Sequence, residues 1–571
     1  MAQIRLLEIK NFRSIKDLAW QPAAGINCLI GPGDSGKSTI LDAIDLCLGA
    51  RRTVQFTDAD FSELNVQSPI EITITLGDLS DQLKTLDIYG LFLRGFNADT
   101  KQLEDEPGAG LETVMCLQLR VSADLEPVWS LVSDRAAALG IERGLAWADR
   151  QEIAPSRIGS YSDLNLSWKR GSVLNRLSDE KPDASAILLE AARTARQQFG
   201  ASTKGQLADA LTTVKEVADE LGIGGGAEFR AELEAHSVSM SAGTISLHDD
   251  TGVPVRGMGI GSTRLLIAGL QKEAAAGTSI VVVDEVEHGL EPHRIIRFLG
   301  ALGAKDTVPS LQVFMTSHSP VVVRELDVAQ LTIVRKTGQG HSLKWVGDHQ
   351  ELQGTLRLFP EALLARSVLV CEGASEVGFV RGIDQWCSDN GKPSLHASGT
   401  SLVDGRGDEM LKRAQAFLDL GYRTALLRDD DKRPDPAKEC SFEFDGGQVF
   451  RWRDGKKIEV EIFDSVPQTA IQPLLDLALE MFERQALDNQ LKSASGNAVT
   501  TTTIAAELST GTLSKCARSA LGVASGKKSG WFKNISIMEG IGRDIIAPRF
   551  AELDEEFKKV IKSVRKWTIN A

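Results

Sequence analysis

Two groups of residues in this chain have the types and spacing that chemistry requires. The first is Gly31-Pro32-Gly33-Asp34-Ser35-Gly36-Lys37-Ser38-Thr39, which fits G-x-x-x-x-G-K-[ST] after an apolar strand pattern and before a helical one. Glycines let main-chain N–H groups wrap phosphates at a helix N-terminus, Lys37 neutralises the outer phosphates, and the Ser38 hydroxyl offers a ligand to Mg²⁺. Far downstream, the apolar run Ile280 to Val283 ends in Asp284 and Glu285, as a buried parallel strand delivers carboxylates to its C-terminal edge. Asp284 would hold the Mg²⁺ shell and Glu285 would orient the attacking water. The next apolar run ends in Thr316-Ser317-His318-Ser319, where the His318 imidazole is placed to contact a γ-phosphate. Together these residues describe binding and hydrolysis of a nucleoside triphosphate.

The second group is acidic. Glu372 ends the run SVLVC, and Glu376 falls in the first turn of the helix expected to follow. Asp404 follows a short apolar run, and TALLR leads into Asp429, Asp430 and Asp431, of which Asp429 and Asp431 point together if side chains alternate. In KKIEVEIF the same alternation predicts a strand with Lys457, Glu459 and Glu461 on one face. Clustered carboxylates repel one another and are natural sites for hard divalent cations. Two such ions about 4 Å apart activate water and stabilise the leaving oxygen of a phosphodiester. A lysine, Lys533 or alternatively Lys528 in SGKKSGWFKNIS, would then stabilise the phosphate.

Positioning these groups takes several folding units. A length of 571 residues gives a prior of about three to four domains, and 42% hydrophobic with 25% charged residues excludes disordered, collagenous and rod-like chains. The net charge of −14 argues against coating nucleic acid by bulk positive charge, while leaving local basic grooves open. Seven scattered cysteines without a C-x-x-C pair suggest neither a disulfide framework nor a zinc site, and no apolar signal core or membrane span is visible. A soluble cytoplasmic protein is expected. Strand and helix signals alternate over 1–150 and 236–355, predicting an α/β ATPase split by an Ala/Leu/Arg-rich helical insertion at 151–235. A second α/β unit is predicted over 356–571, with the polar stretch GQGHSLKWVGDHQELQG as the connection and FKKVIKSVRKW as a solvated final helix.

The first group resembles the ATPase of the ABC, SMC and RecF group. IRLLEIKNFRSI looks like that group's first strand, with Arg13 near the nucleotide edge, Gln55 in VQFTDADF like its Q-loop, and GMGIGSTRLLIAG at the place of its signature motif. The usual Leu-Ser-Gly-Gly is replaced by Gly257, Gly259, Gly261 and Ser262. In that group the signature of one subunit caps ATP held by another, so the resemblance implies a dimer, with the insertion as a dimer contact.

Glu372-Gly373-x-x-Glu376, Asp404-Gly405 and Asp429-x-Asp431 look like the Toprim domain of topoisomerases, primases and certain nucleases. An ABC-type ATPase followed by Toprim is similar to the overcoming-lysogenization-defect (OLD) nucleases, which include the nuclease subunit of Gabija phage defence and retron-associated members. The resemblance implies an ATP-regulated, Mg²⁺- or Mn²⁺-dependent DNA endonuclease or nickase in anti-phage defence, with one ion beside ATP and two in the Toprim unit. Glu372, Asp429 and Asp431 would hold the first of those two, and Glu459 and Glu461 the second. A homodimer or higher oligomer, DNA, and a helicase or a reverse transcriptase with its DNA are the implied partners. The competing reading is an ATP-gated clamp whose Toprim unit binds DNA without cutting it. Topoisomerase chemistry needs a nucleophilic tyrosine; the chain has only Tyr89, Tyr161 and Tyr422, and packing accounts for Tyr422, which immediately precedes a predicted strand.

Overall fold

The computed structural model describes the chain except for residues 1, 52, 160–165, 168–171, 178–189, 192, 195–197, 199–207, 221–245, 275–279, 338–339, 433, 454, 528–529 and 571. The chain forms two compact units, one from residues 1–27 and 38–316 and the other from 28–37 and 317–571. Among the described residues no helix is long and apolar enough to cross a membrane.

The first unit contains a seven-stranded antiparallel sheet built from β1 (Gln3–Phe12), β2 (Ile15–Trp20), β4 (Ile70–Gly77), β5 (Leu93–Asn97), β6 (Gln102–Glu104), β7 (Glu112–Val121) and β8 (Pro127–Leu131). Its order is β2-β1-β4-β7-β5-β6, with β8 on β7. The alternating Ile70, Ile72, Ile74 and Leu76 of β4 are all buried, the period of two that a one-sided sheet demands. In β1 the buried positions Ile4 and Leu7 are three apart, because the register shifts between Ile4 and Leu6. The same unit holds three parallel strands, β9 (Ser156–Ile158), β10 (Ile280–Val283) and β11 (Gln312–Thr316). All four residues of β10 are buried, so no alternation is needed or seen. The buried Gln312 amide accepts from Ile4 N and donates to the carbonyls of Ile4 and Ala23, tying β11 to the first strand.

One expectation changes in this unit. The ATPase part does not end at 150: Ser156–Ile158 pairs with β10, so the helical insertion begins later than predicted. Three residues between Pro155 and Gly159 are too few to show a strand period. Of the insertion, Ala208–Glu220 is helical, and most of ASAILLEAARTARQQF with the glycines at 222–226 lies outside the described residues.

In the second unit Cys28–Ile30 of β3 (Ile26–Ile30) runs parallel to β12 (Leu331–Thr337), which pairs antiparallel with β13 (Gly340–Trp345). The polar stretch expected as a connection thus supplies a strand, whose side chains are only partly buried. A four-stranded, wholly parallel sheet follows, made of β14 (Ser367–Cys371), β15 (Thr400–Asp404), β16 (Arg423–Arg428) and β17 (Gln448–Arg451) in the order β15-β14-β16-β17. The chain direction across this sheet reverses at β14, and the crevice at the carboxyl ends of β14 and β16 is where such sheets bind ligands.

The predicted strand KKIEVEIF is instead a helix, Ile458–Ser465, in which Ile458, Ile462 and Phe463 are buried at helical spacing. Phe463 packs on Trp531 and Phe532. The final helix, Glu555–Ile569, is solvated on one face only: Phe557, Ile561, Val564 and Trp567 enter the core. Helix Ala374–Asp389, which carries Glu376, lies against the helical run from Ile535 through Ile546, and two glycines set that distance. A Cβ at Gly378 would stand 2.3 Å from the Ile535 carbonyl oxygen, and one at Gly382 would stand 2.1 Å from that of Glu539. Gly382→Ala is therefore expected to destabilise the protein by about 1–3 kcal/mol, the range for overpacking, read as a lower melting temperature by calorimetry; an unchanged midpoint would show that the two backbones separate freely.

Candidate functional site

The phosphate-binding loop leaves β3 at Gly31, whose φ of 146° brings its α-carbon against β12; a Cβ there would stand 2.3 Å from the Val334 carbonyl oxygen. Asp34 and Gly36 also take left-handed backbone, with φ of 58° and 89°. These turns open the helix α1 (Lys37–Leu48) with its N–H groups facing the loop. The Lys37 ammonium is buried and donates to the carbonyls of Gly31 at 3.2 Å and Pro32 at 2.7 Å and to Ser35 Oγ at 3.3 Å. The loop thus holds its cation curled within its own turn, where phosphate oxygens would replace the carbonyls.

One helical step on, Ser38 Oγ donates to Asp284 Oδ1 at 3.1 Å. Asp284 follows β10, and the same oxygen accepts from Thr316 Oγ1, at the end of β11, at 2.5 Å. Thr316 Oγ1 in turn accepts from the Glu285 main-chain N–H at 2.8 Å. Glu285 is exposed and sits at φ 48°, a left-handed conformation that costs a glutamate energy and turns its side chain out of the strand line. Thr39 Oγ1 lies 3.4 Å from Ser14 Oγ.

The other predicted contacts fall differently. Arg13 is held by Asp42 at 2.6 Å and Asp60 at 2.9 Å, so its charge is already matched in this structure. Gln55 and His318 are exposed, Gln55 in an irregular segment and His318 just after β11. In the signature region the helix α2 (Ile260–Glu273) starts at Gly259, Gly261 abuts the Gly289 carbonyl, and Ser262 Oγ accepts from Arg294 at 3.0 Å. Sequence reasoning gave no role to Arg264, which is 1% exposed and donates to the main-chain carbonyls of His288, Asp284 and Glu285 at 2.5, 3.3 and 3.1 Å. An arginine among the apolar residues of STRLLIAGL was the available signal. It fastens the backbone that carries both carboxylates.

The second site lies at the carboxyl ends of β14 and β16. Glu372 leaves β14, donates its N–H to the Leu427 carbonyl at 2.8 Å, and accepts the Asp429 N–H on Oε2 at 2.8 Å. Asp429 Oδ1 accepts from Ile458 N at 2.9 Å, at the start of α4, with α3 (Ala374–Asp389) and α4 (Ile458–Ser465) numbered in chain order. One ligand oxygen from each of Glu372, Asp429 and Asp431 lies within 4.8 Å of the others. Asp430 points away, as alternation predicts: it is buried against Arg428 at 3.0 Å and accepts from Gly455 N at 3.0 Å. Glu376, 3% exposed, accepts from Gly373 N at 3.0 Å. Asp404 ends β15 beside Cys371 and accepts from Arg406 N, outside the Glu372–Asp429–Asp431 trio.

The helical form of 458–465 separates the two remaining acids, because residues two apart on a helix diverge. Glu459, fully buried, faces the cluster: Oε1 pairs with Lys533 Nζ at 2.7 Å and accepts from Ser375 Oγ at 3.3 Å, while the buried Oε2 has no hydrogen-bond partner among the described residues. Glu461 turns elsewhere, to Arg453 at 2.6 Å and Ser465 at 2.9 Å. The pairing of Glu459 with Glu461 as one ligand set is therefore not assembled here. Of the two candidate lysines, Lys533 meets the cluster through Glu459, and Lys528 lies outside the described residues.

Burial raises the Glu372 carboxyl above its usual range, with the Asp431 charge adding to it. Burial likewise pushes Asp429 up to about 7, reinforced by repulsion from Glu372 and Glu459. Glu376 is raised well above the usual carboxylate range by burial and then by Asp429. Burial pulls Lys533 down, but Glu459 outweighs it and holds the ammonium above its ordinary value. Crowded, buried carboxylates with an unsatisfied buried oxygen fit a hard divalent cation, which would neutralise them together.

Two outcomes follow from these geometries. Lys37→Ala is expected to weaken ATP binding by about tenfold or more, since a charge-assisted contact is worth roughly 1.5–3 kcal/mol; equal affinity in a binding titration would remove the loop from the nucleotide site. Asp429, raised above its unfolded value, costs the folded state stability as pH rises from about 4 to about 7. In EDTA the melting temperature should fall over that window, and Mn²⁺ should raise it more above the window than within it. Asp429→Asn should flatten both trends, and a variant with the wild-type pH profile would refute the assignment.

Among curated proteins, the chain is 42% identical over 45 residues to the DNA replication and repair protein RecF of Chlorobium luteolum (strain DSM 273 / BCRC 81028 / 2530), covering 8% of this chain and 12% of that protein. It is 36% identical over 75 residues to the OLD nuclease of Thermus scotoductus (strain ATCC 700910 / SA-01), covering 12% of this chain and 14% of the relative. The chain thus matches only a small part of the length of these relatives. Among solved structures it is similar to the SMC head domain from Thermotoga maritima, at 13% identity over 60% of this chain and 99% of the other, with a TM-score of 0.29. An Smc head domain with an extended coiled coil, bound to the C-terminal domain of ScpA derived from Pyrococcus furiosus, matches at 14% identity over 62% of this chain and 100% of the other, with a TM-score of 0.32. Residues 26–324, more than half of the chain, match the family model described as "AAA domain, putative AbiEii toxin, Type IV TA system", and the chain belongs to that family of AAA ATPases.

Proposed function

We propose that this ATPase is also a metal-dependent DNA endonuclease of the OLD type, with residues 356–571 as a Toprim nuclease unit and anti-phage defence as its setting. The observation that carries this reading is the convergence of Glu372, Asp429 and Asp431 at the switch point of a parallel sheet. An ATP-binding loop in the same chain and the partial likeness to an OLD nuclease support it. Likeness to RecF, a DNA replication and repair protein by name, supports DNA as the substrate.

Glu372, Asp429 and Asp431 would hold one Mg²⁺ or Mn²⁺, and Glu459 with Glu376 stands beside them for a second. When bound, such ions activate a water and stabilise the leaving oxygen of a phosphodiester. The chain's own residues do the rest. The main-chain N–H groups of Asp429 and Ile458 orient Glu372 and Asp429. Glu459 places the Lys533 ammonium at the cluster, where it would balance the charge that grows on the phosphate. ATP would regulate cleavage through a homodimer, with Ser38, Asp284 and Glu285 as the nucleotide-side groups.

The diversion of Glu461 to Arg453 favours one rival, an ATP-gated clamp that binds DNA without cutting. Supercoiled plasmid separates them. Purified protein with Mg²⁺ or Mn²⁺ is expected to nick or linearise it, with ATP altering the rate. Asp431→Ala should lower cleavage by about 10²-fold or more while ATP hydrolysis persists. Absence of cleavage in every lane, despite ATP turnover, would favour the clamp, and loss of both activities in the variant would refute separate sites.

A further inference from the structure

The cluster meets a second ammonium besides that of Lys533. Lys457 is the residue just before α4, and its Nζ lies 3.3 Å from Asp431 Oδ2 and 3.5 Å from the Gly526 carbonyl oxygen. The adjoining N–H of Ile458 is the one that Asp429 accepts, so Lys457 is anchored at its backbone by one carboxylate of the trio and at its head group by another. Its side chain is 35% exposed, as is that of Lys533. An ammonium has three donors; at Lys457 the carboxylate and the carbonyl take two.

The other cations nearby are held by different acids. Arg428 is 1% exposed and spent on Asp430, Glu439 and the Asp429 main-chain carbonyl. Arg453 is bound to Glu461 and Ser465, with Asp554 at 3.4 Å. Lys456 is divided between Asp464 at 2.8 Å and Glu461 at 3.8 Å. Of these, none is paired with the carboxylate of Glu372, Asp429 or Asp431. Lys457 alone among them combines an ion pair to a carboxylate of the trio with a side chain about a third exposed.

We propose that Lys457 is a substrate-contacting residue of the carboxylate site, sharing Asp431 with the divalent ion and donating to a phosphate oxygen of the DNA strand. This rests on the nuclease reading above. The lysine has two opposed effects. It competes with the ion for Asp431, because both are cations on one carboxylate. It also favours cleavage, because its charge faces the phosphate on which negative charge builds. A lysine that merely braced Asp431 would have one effect only: its removal would loosen the carboxylate and weaken ion binding.

The test uses the full chain as wild type, Lys457→Met and Lys457→Arg, with ATP hydrolysis as the check on folding. Mn²⁺ binding is measured by electron paramagnetic resonance, and plasmid cleavage is measured against DNA concentration. Lys457→Met is expected to bind Mn²⁺ about two- to fivefold more tightly, the range for a half-exposed ion pair. Its kcat/KM should fall by about 10²-fold, with Lys457→Arg recovering part of the loss. Weaker Mn²⁺ binding in Lys457→Met, or tighter binding with unchanged cleavage, would overturn the proposal while leaving the nuclease reading intact. Wild-type protein that cleaves no DNA, with Mn²⁺ binding equal to that of Glu372→Ala, would instead sink the nuclease reading and the role of Lys457 with it.

Discussion

Carboxylates cannot be crowded, buried and charged together unless positive charge is brought to them, and the second unit is organised around that constraint. Glu372, Glu376, Asp429, Asp431 and Glu459 meet where β14 and β16 end, and burial raises Glu372, Glu376 and Asp429. The fold answers with main-chain N–H groups from Gly373, Asp429 and Ile458 and with two ammoniums, Lys457 and Lys533. Those partners fix the orientation of the acids and offset part of their charge. The cluster is backed by an apolar core that includes Phe463, Trp531 and Phe532.

The ATPase unit solves a related problem with hydroxyls. Asp284 keeps its place between Ser38 and Thr316, and Thr316 holds the N–H of Glu285. Arg264 closes the arrangement from behind through carbonyls rather than carboxylates, so the acids stay available. A buried guanidinium is costly to desolvate, and its pKa is lowered mainly by that burial. Its retention beside the catalytic backbone is consistent with a positioning task that an apolar residue of the same volume would not perform.

The sequence made the long-range architecture readable wherever one physical rule dominated. Buried parallel strands are short apolar runs, so β10, β11, β14 and β16 stand out, and the polar residue after each one marks the sheet's carboxyl edge. Hence Asp284, Glu372 and Asp429 were legible as strand-end residues. Where two rules competed, the pattern misled. In KKIEVEIF alternate β-branched residues imitate a strand, yet Ile458, Ile462 and Phe463 also make a helical face, and the aromatic core around Phe463 decides between them. The strands Ser156–Ile158 and Gly340–Trp345 were missed because one is too short to have a period and the other is half-exposed and polar. Arg264 was marked only as an arginine within an apolar helical run, and its partners, carbonyl oxygens that every residue possesses, leave no trace in the sequence.

The three consecutive aspartates after β16 are chemically alike and structurally unlike. Asp430 sits in the interior with Arg428, and Arg428 also reaches Glu439 at 3.2 Å, so one guanidinium serves two acids beneath the loop. Its N–H donates to the Lys456 carbonyl, and its Oδ2 accepts from Gly455. The middle aspartate thus works as a bracket joining the turn before α4 to the end of β16. The reach of Asp429 and Asp431 into the crevice is consequently set from below, by an element that never meets solvent, and a drift in sequence at position 430 would be felt as a change in the spacing of its neighbours.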